Sequence, residues 1–464
     1  MSGDLLRQFH HHAREKAQDP AHRKTIRWAI DTYDAAVARG KTRFPDWEAA
    51  RQRSYEIKWE AVNHLDRYLE EFEAKVIQRG GHVFWAADSG QARNYVLELA
   101  RARGVKSVVK SKSMLTEEIA LNPALEREGI KVWETDLGEF IVQLRHEPPY
   151  HIVTPAMHLS RGQVIDLFRE KIPNDVIGDS HEELVAAARR ALRREFFAAD
   201  MGISGANFLV ADTGMIAITT NEGNGRLCTS LPRIHVAFAG IEKVIPRLQD
   251  LATLWPVLAT VGTGQHITAY STLIGGPRTP QENDGPVEFH VVLLDNGRSR
   301  LLADSEQRDL LQCIRCGACL NACPVYRNIG GHAYGTVYQG PLGSVLTPAL
   351  QGLAQYQHLS YASSLCGNCT SVCPVKIDLA HHLLHNRRNA VQEGDRPWRE
   401  RLGMRLWRWA MMDRRRFQLA GRMGRALLRA FGGISVLKPW TESRELPPAP
   451  TMTFRERWRK NGAR

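Results

Sequence analysis

No stretch of the 464-residue chain approaches the roughly 18 uninterrupted apolar residues that a membrane-spanning helix needs. The N-terminal segment MSGDLLRQFHHHAREKAQDP also lacks the apolar centre of a signal peptide, so a cytoplasmic protein is expected. Equally absent are a G-x-G-x-x-G turn between strand and helix, a P-loop, a G-x-S-x-G elbow and an H-E-x-x-H pair. Gly262-Thr263-Gly264 and Gly330-Gly331 come nearest, and they lack the spacing or the context. Hydride transfer to a dinucleotide, phosphoanhydride hydrolysis, serine hydrolysis and zinc proteolysis are thereby left without their usual traces. Cysteine is scarce as well, because Cys228 is alone outside the segment 313–373.

Inside that segment stand seven of the eight cysteines, an odd and clustered set that suits metal better than disulfides in a cytoplasmic chain. Cys313, Cys316, Cys319, Cys323 and Pro324 spell C-x2-C-x2-C-x3-C-P, the run with which bacterial-type ferredoxins hold cubane iron-sulfur clusters. Cys366, Cys369, Cys373 and Pro374 repeat its second half. The ferredoxin rule crosses the ligands, so Cys313, Cys316 and Cys319 are expected to share one cluster with Cys373, and Cys366 and Cys369 to share the other with Cys323. A fourth cysteine is missing where Ser363 stands, three residues before Cys366. Two [4Fe-4S] clusters follow, the second with three thiolates. Either it is a [3Fe-4S] centre, or its last iron takes Ser363, a solvent oxygen, a partner residue or a substrate oxygen. Structural zinc also uses paired C-x-x-C motifs, but the third closely spaced cysteine and both Cys-Pro endings fit it badly. Cys228, in LCTSLP, reads as an ordinary buried thiol.

Around this core the hydrophobic period changes along the chain. Residues 1–79 are helical, with Val62, Leu65, Leu69, Phe72 and Val76 on one stripe of an amphipathic cap. Over 80–300, the short apolar runs HVFWAA, SVVKS, KVWET, NFLVAD, MIAITT, IHVAFA and VEFHVVLL are separated by helical segments or glycine-bearing turns. This alternation predicts an α/β domain with a mostly parallel, helix-covered sheet. Ser160 with Gln163 and Ser180 with Glu183 are capping boxes ahead of two of those helices. Residues 301–385 should form a helical two-cluster ferredoxin-like module, with a helix opening near Asp304 and another over ALQGLAQYQHL. Residues 386–464 form a basic extension with a weakly amphipathic stretch over 399–430 and a proline-rich break from Leu446 to Pro450.

The formal charge of +12 belongs to that extension, which holds 20 basic and 7 acidic residues. It also carries Trp398, Trp407, Trp409, Trp440 and Trp458. Such a stretch suits docking on an acidic partner or an anionic membrane surface, or is a solvated helical extension. A nucleic-acid-binding iron-sulfur protein is the competing class, but no nucleic-acid motif accompanies the charge and no such partner is expected. In the α/β domain the densest polar group is Asp212-Thr213-Gly214 with Asn221-Glu222-Gly223-Asn224-Gly225-Arg226. Arg226 there offers a carboxylate clamp and Glu222 a base, against the plainer reading of a strand pair joined by a glycine turn. His235 and His266 read as core or loop histidines. His332, Tyr334 and Tyr338 either line the approach to the incomplete cluster or pack the insertion between the cysteine runs.

Two segments, CIRCGACLNACPVYRNIGGHAYGTVYQGPLGSVLTP and SSLCGNCTSVCPVKIDL, follow GANFLVADTGMIAITTNEGNGR and precede a basic tail. In this order they resemble the lactate utilization protein B family over nearly the whole chain. That resemblance implies a LUD domain, similar to the fold of ribose-phosphate isomerases and CoA transferases, followed by two four-iron clusters on the seven cysteines. Ser363 is normal for the family. The resemblance further implies the iron-sulfur subunit of a three-protein complex oxidising L-lactate to pyruvate, with two other subunits as partners and electrons passing toward the respiratory chain. This chain would then be the electron-transfer component and not a complete enzyme alone, its catalytic residues unassigned. The alternatives are the same module serving another 2-hydroxy acid such as glycolate, or a heterodisulfide-reductase-type couple.

Overall fold

Four helices begin the chain in the computed structural model, which describes residues 2–111, 113–172, 175–392, 398–431 and 448–462. They are α1 (Ser2–Gln18), α2 (Pro20–Lys41), α3 (Trp47–Asn63) and α4 (Leu65–Gln78). The expected stripe is buried throughout, and His64, at φ −131°, breaks it into two helices after Val62. It covers a sheet, since Leu65, Leu69, Phe72 and Val76 pack with Phe208, Ile216 and Val244. The earlier helices go elsewhere: Ile26 and Ile30 of α2 pack with Leu320, Tyr326 and Ile329 in the cysteine-bearing region.

Ten strands follow: β1 (His82–Ala86), β2 (Ser107–Ser111), β3 (Lys131–Glu134), β4 (Met201–Gly205), β5 (Phe208–Val210), β6 (Met215–Thr220), β7 (Ile234–Gly240), β8 (Val244–Ile245), β9 (Tyr270–Ile274) and β10 (Glu288–Leu294). Six form a wholly parallel sheet in the order β1-β10-β7-β4-β2-β3. Its central strands are buried along their full length, as parallel strands covered on both faces must be. NFLVAD and MIAITT lie elsewhere. They make the antiparallel hairpin β5–β6 of a second, four-stranded sheet ordered β8-β5-β6-β9. Both capping boxes, at Ser160 and Ser180, are formed.

Beyond β10 the chain is helical and irregular. The helix expected from Asp304 is a turn followed by a 3-10 segment, Arg308–Gln312, whose end delivers Cys313. The helix expected over ALQGLAQYQHL is broken at Gly352, whose φ of 111° suits no other residue type, so Gly340–Gln351 and Leu353–Tyr356 are separate. Residues Met1–Ala390 make one compact unit and Val391–Arg464 a second. In the second, Trp398–Met411 and Arg414–Phe431 are helices. The latter is strongly amphipathic, with Phe417, Leu427 and Leu428 against Arg422, Arg425 and Arg429. Pro448–Pro450 has no regular structure, while Leu446, Pro447 and Trp440 lie outside the described residues.

One glycine in the parallel sheet is fixed by close approach. A Cβ on Gly202, mid-sheet in β4, would overlap the carbonyl oxygen of Cys228 in the helix Asn224–Ser230. Backbone on both sides leaves no flexible group to yield, so Gly202→Ala should cost about 3 kcal/mol or more. A urea-unfolding midpoint close to that of the unmodified chain would contradict this packing.

Candidate iron-sulfur site and the adjoining cleft

The two cysteine runs form matching turns. Arg315 and Leu365, at φ 59° and 55°, precede Cys316 and Cys366, and Gly317 and Gly367 follow them, both at φ 78°. A short helix comes next in each, Ala318–Asn321 and Asn368–Val372. Left-handed conformations at two non-glycine positions cost roughly 1–2 kcal/mol each, strain of the kind kept where a ligand site needs it. The match extends one residue further back. The Arg315 backbone N–H donates to Cys313 Sγ at 3.4 Å, and the Leu365 N–H donates to Ser363 Oγ at 3.1 Å. Ser363 therefore occupies in the second turn the place that Cys313 holds in the first.

The structure gathers the cysteines into two groups. Cys313, Cys316, Cys319 and Cys373 surround one cavity, closed by Ile314, Leu342 and Val375. Cys323, Cys366 and Cys369 surround another, with Ser363 and Ser364 on its wall. Arg387 holds this wall by donating to the carbonyls of Ser360 and Ser363 at 2.9 and 3.0 Å. The groups adjoin across the short helix that carries Cys319. They differ in exposure, because Cys366 of the three-cysteine group is open to solvent and no cysteine of the other group is. Burial and then the neighbouring thiols push Cys316 and Cys319 well up, burial raises Cys373 to about 12, and burial followed by Cys323 raises Cys369 to about 11. Only Cys366 is lowered, chiefly by the Asn368 backbone N–H. So many thiols in dry space ionise together only around bound cations, and an all-sulfur donor set suits iron-sulfur centres.

Beside the four-cysteine group lies a ring of buried charges that the sequence did not disclose. Arg298 Nε donates to Glu242 Oε2 at 2.7 Å, and its Nη1 and Nη2 donate to Glu118 Oε1 and Oε2 at 3.0 and 2.8 Å. Tyr338 Oη donates to Glu118 Oε2 at 2.6 Å, and Arg315 Nη2 donates to Glu242 Oε1 at 3.1 Å. Arg315 lies over the Tyr338 ring at 5.0 Å and so closes the circuit. Burial works to raise the Glu242 carboxyl, but Arg298 and then Arg315 outweigh it and hold the group at about 2. Lys58 of α3 donates to the carbonyls of Glu242 and Val244 at 2.6 and 3.2 Å, and burial lowers it to about 7. Burial, then Arg315, lowers Lys243 to about 8.

Glu242, Lys243, Arg315 and Tyr338 border a cleft of about 130 Å³ at the carboxyl ends of β4 and β7, lined also by Asn207, Thr219 and Cys316. One signal could have found it. Glu242-Lys243 comes one residue after the apolar strand IHVAFAG, and charge at the carboxyl end of a buried parallel strand marks a ligand position in open α/β sheets.

The other candidates have structural roles. Asp212 closes the β5–β6 turn and accepts from the Leu248 N–H at 3.0 Å. Glu222 accepts from the Leu137 N–H at 2.8 Å and caps the helix Leu137–Leu144, while Arg226 is exposed. His235 is buried with Nε2 2.8 Å from Ser204 Oγ, and His266 sits in an exposed loop near Phe44. Cys228 is buried, its Sγ 3.3 Å from Thr135 Oγ1. None of His332, Tyr334 and Tyr338 lines the three-cysteine cavity. His332 is 2.8 Å from the Pro148 carbonyl and near His158 and Glu147, Tyr334 packs on Phe9 and Tyr326, and Tyr338 belongs to the charge ring.

The LUD domain family matches residues 69–294, the 4Fe-4S dicluster domain family matches 309–377, and the family described as lactate utilisation protein B, C-terminal, matches 384–463. Lactate utilization protein B from Bacillus velezensis is 44% identical over 425 residues, 90% of this chain and 89% of that one. Its namesake from Bacillus licheniformis is 43% identical over 89% and 88% of the two chains. The chain belongs to the lactate utilization protein B family. As in that family's description, it carries an iron-sulfur domain and an α/β LUD domain. A DUF162 family protein from Deinococcus radiodurans, of known crystal structure, is 13% identical with a TM-score of 0.29, over 50% of this chain and 98% of that one.

The charge ring of this family member gives a prediction. Glu118→Gln leaves Arg298 paired to one carboxylate and sets an amide NH2 against a donor of Arg298 or Tyr338, so stability should fall by about 3 kcal/mol. Acid should act in the same direction. The Glu242 carboxyl is depressed in the fold, so its contribution is present above the ordinary carboxylate range and is lost as pH falls toward about 2. Denaturant titrations at pH 7 and pH 3 measure both effects.

Proposed function

We propose that the chain is the iron-sulfur electron-transfer subunit of a multi-protein system that oxidises L-lactate to pyruvate. The observation that carries this reading is the partition of seven cysteines between two adjoining cavities, four around one and three around the other. It is supported by relatives named for lactate utilisation that span 88% or more of their own length. Cys313, Cys316, Cys319 and Cys373 would hold one [4Fe-4S] cluster. Cys323, Cys366 and Cys369 would hold the second, with Ser363 Oγ nearest to the place of the missing thiolate. Such clusters supply one-electron acceptance and release.

The residues around the sulfurs do the remaining work. Backbone N–H groups of Arg315 and Ile377 donate to Cys313 and Cys373 Sγ at 3.4 and 3.3 Å, which stabilises negative charge on sulfur. The four-cysteine group faces the cleft, while the three-cysteine group reaches solvent at Cys366. This order gives electrons an inner entry and an outer exit, the exit lying where a partner subunit can approach. The two further subunits of the lactate system are the proposed partners. The basic extension would dock on an acidic partner or on an anionic membrane surface, which its exposed Trp398, Trp407 and Trp409 between arginines would suit. No helix of the described residues is long and apolar enough to cross a membrane.

Three outcomes are expected. Anaerobically purified protein should hold about eight irons, or about seven if the second centre is [3Fe-4S], whereas zinc with little iron would defeat the reading. Cys313→Ala should remove one cluster and Cys366→Ala the other, and loss of both sets of signals from either change would leave the pairing unsupported. Removing residues 399–464 should weaken pelleting with vesicles or partner subunits at unchanged iron content. The function itself is tested by cluster reduction in the reconstituted complex, which should respond to L-lactate over glycolate.

A further inference from the structure

The cleft beside the four-cysteine group has chemistry that electron transfer alone does not require. It opens at the carboxyl ends of β4 and β7, where open parallel α/β sheets accept small ligands, and its 130 Å³ suits a small molecule and not a nucleotide. Two cations border it. Arg315 gives Nη2 to Glu242, but its buried Nη1 has no hydrogen-bond partner. Lys243 lines the same space and makes no hydrogen bond or ion pair among the described residues. Around the ring, Lys243, Arg298 and Arg315 face Glu118 and Glu242, with Cys313 beside Arg315. A buried unpaired donor costs about 1–3 kcal/mol, and a buried unneutralised cation more. Thiolates on the far side of Arg315 offset charge there, but they do not give Lys243 an acceptor. Neutral polar groups complete the lining, among them Asn207, which already accepts from the Thr219 N–H at 2.9 Å, and the Thr219 side chain.

We propose that this cleft binds a small carboxylate anion, the carboxylate lying between Arg315 and Lys243 and the remaining polar atoms meeting Asn207 and Thr219. The inference concerns binding only, with no bond made or broken. It rests on the proposed function for its probes, L-lactate and pyruvate. Arg315 is shared between the two sites, since its backbone N–H donates to Cys313 Sγ. An anion on its guanidinium therefore alters the field at that sulfur, while the three-cysteine group, farther from the cleft, feels it less.

The test uses the full chain with its clusters loaded, titrated calorimetrically with L-lactate and with pyruvate and followed by the electron paramagnetic resonance of the reduced protein. Saturable one-site binding of at least one probe is expected, with a change confined to one cluster's signal. Lys243→Gln should weaken binding about tenfold or more at unchanged iron content, and Lys243→Arg should retain it. Gly262→Leu is the second variant. A Cβ there meets only the Cys316 carbonyl oxygen, at 3.7 Å, so the larger side chain fits the backbone, projects into the cleft and should abolish binding. It carries the test if Lys243→Gln loses iron. Absence of saturable binding by either probe, or binding that both Lys243→Gln and Gly262→Leu leave unchanged, overturns the proposal. The two readings fail separately: a complex reduced by lactate around a chain that binds no anion sinks this one alone, and binding without lactate-driven reduction sinks the other alone.

Discussion

The pairing of Arg298 with Glu118 and Glu242 is the constraint on which the rest of the first unit depends. Glu242 lies in the turn just after the central strand β7, Glu118 sits beyond β2, and Arg298 follows β10, so one guanidinium fastens three segments at the same end of the parallel sheet. Arg315 and Tyr338 extend the bonding into the cysteine-bearing region. Arg298 has an acceptor for each of its three nitrogens, so the ring favours one placement of the cysteine run against the α/β domain. Lys58 adds α3 to the same junction through two backbone carbonyls. The charged seam adds directional contacts to the apolar core that the two regions share.

The cysteine turns show a second economy. Arg315-Cys316-Gly317 and Leu365-Cys366-Gly367 share backbone conformation, and Cys313 and Ser363 accept the same local N–H, yet the two halves face different surroundings. The half with four thiols meets the charge ring and the cleft. The half with three meets solvent. An oxygen in place of a sulfur thus falls on the open side, where a fourth donor need not come from this chain.

The parts legible in the sequence were those carried by local spacing. The cysteine intervals, the switch from helical to strand period near His82, and the capping boxes at Ser160 and Ser180 each involve residues a few positions apart. What stayed hidden depends on long-range pairing. NFLVAD and MIAITT read as further strands of one sheet, because nothing in their composition tells a hairpin in a second sheet from a parallel strand. Glu118, Glu242, Arg298 and Tyr338 come from separate segments, and no local spacing links them. Glu222 and Arg226, conspicuous among glycines, turned out to be a helix cap and an exposed side chain. Arg315, wedged between two cysteines where a small residue would suffice, was the overlooked clue.

Arg51 of α3 donates to the carbonyl of Cys373 across 322 positions of sequence, and α2 packs on the region around Cys323. These contacts impose a timetable on a chain made from its N-terminus. During synthesis α1 lacks its main packing surface until residues 326–356 have emerged, and the four-cysteine group is incomplete before Cys373. The LUD sheet can assemble in the interval, since all ten strands are made by residue 294. Completion of the four-cysteine group thus belongs to the end of synthesis, after the sheet beside it has been made.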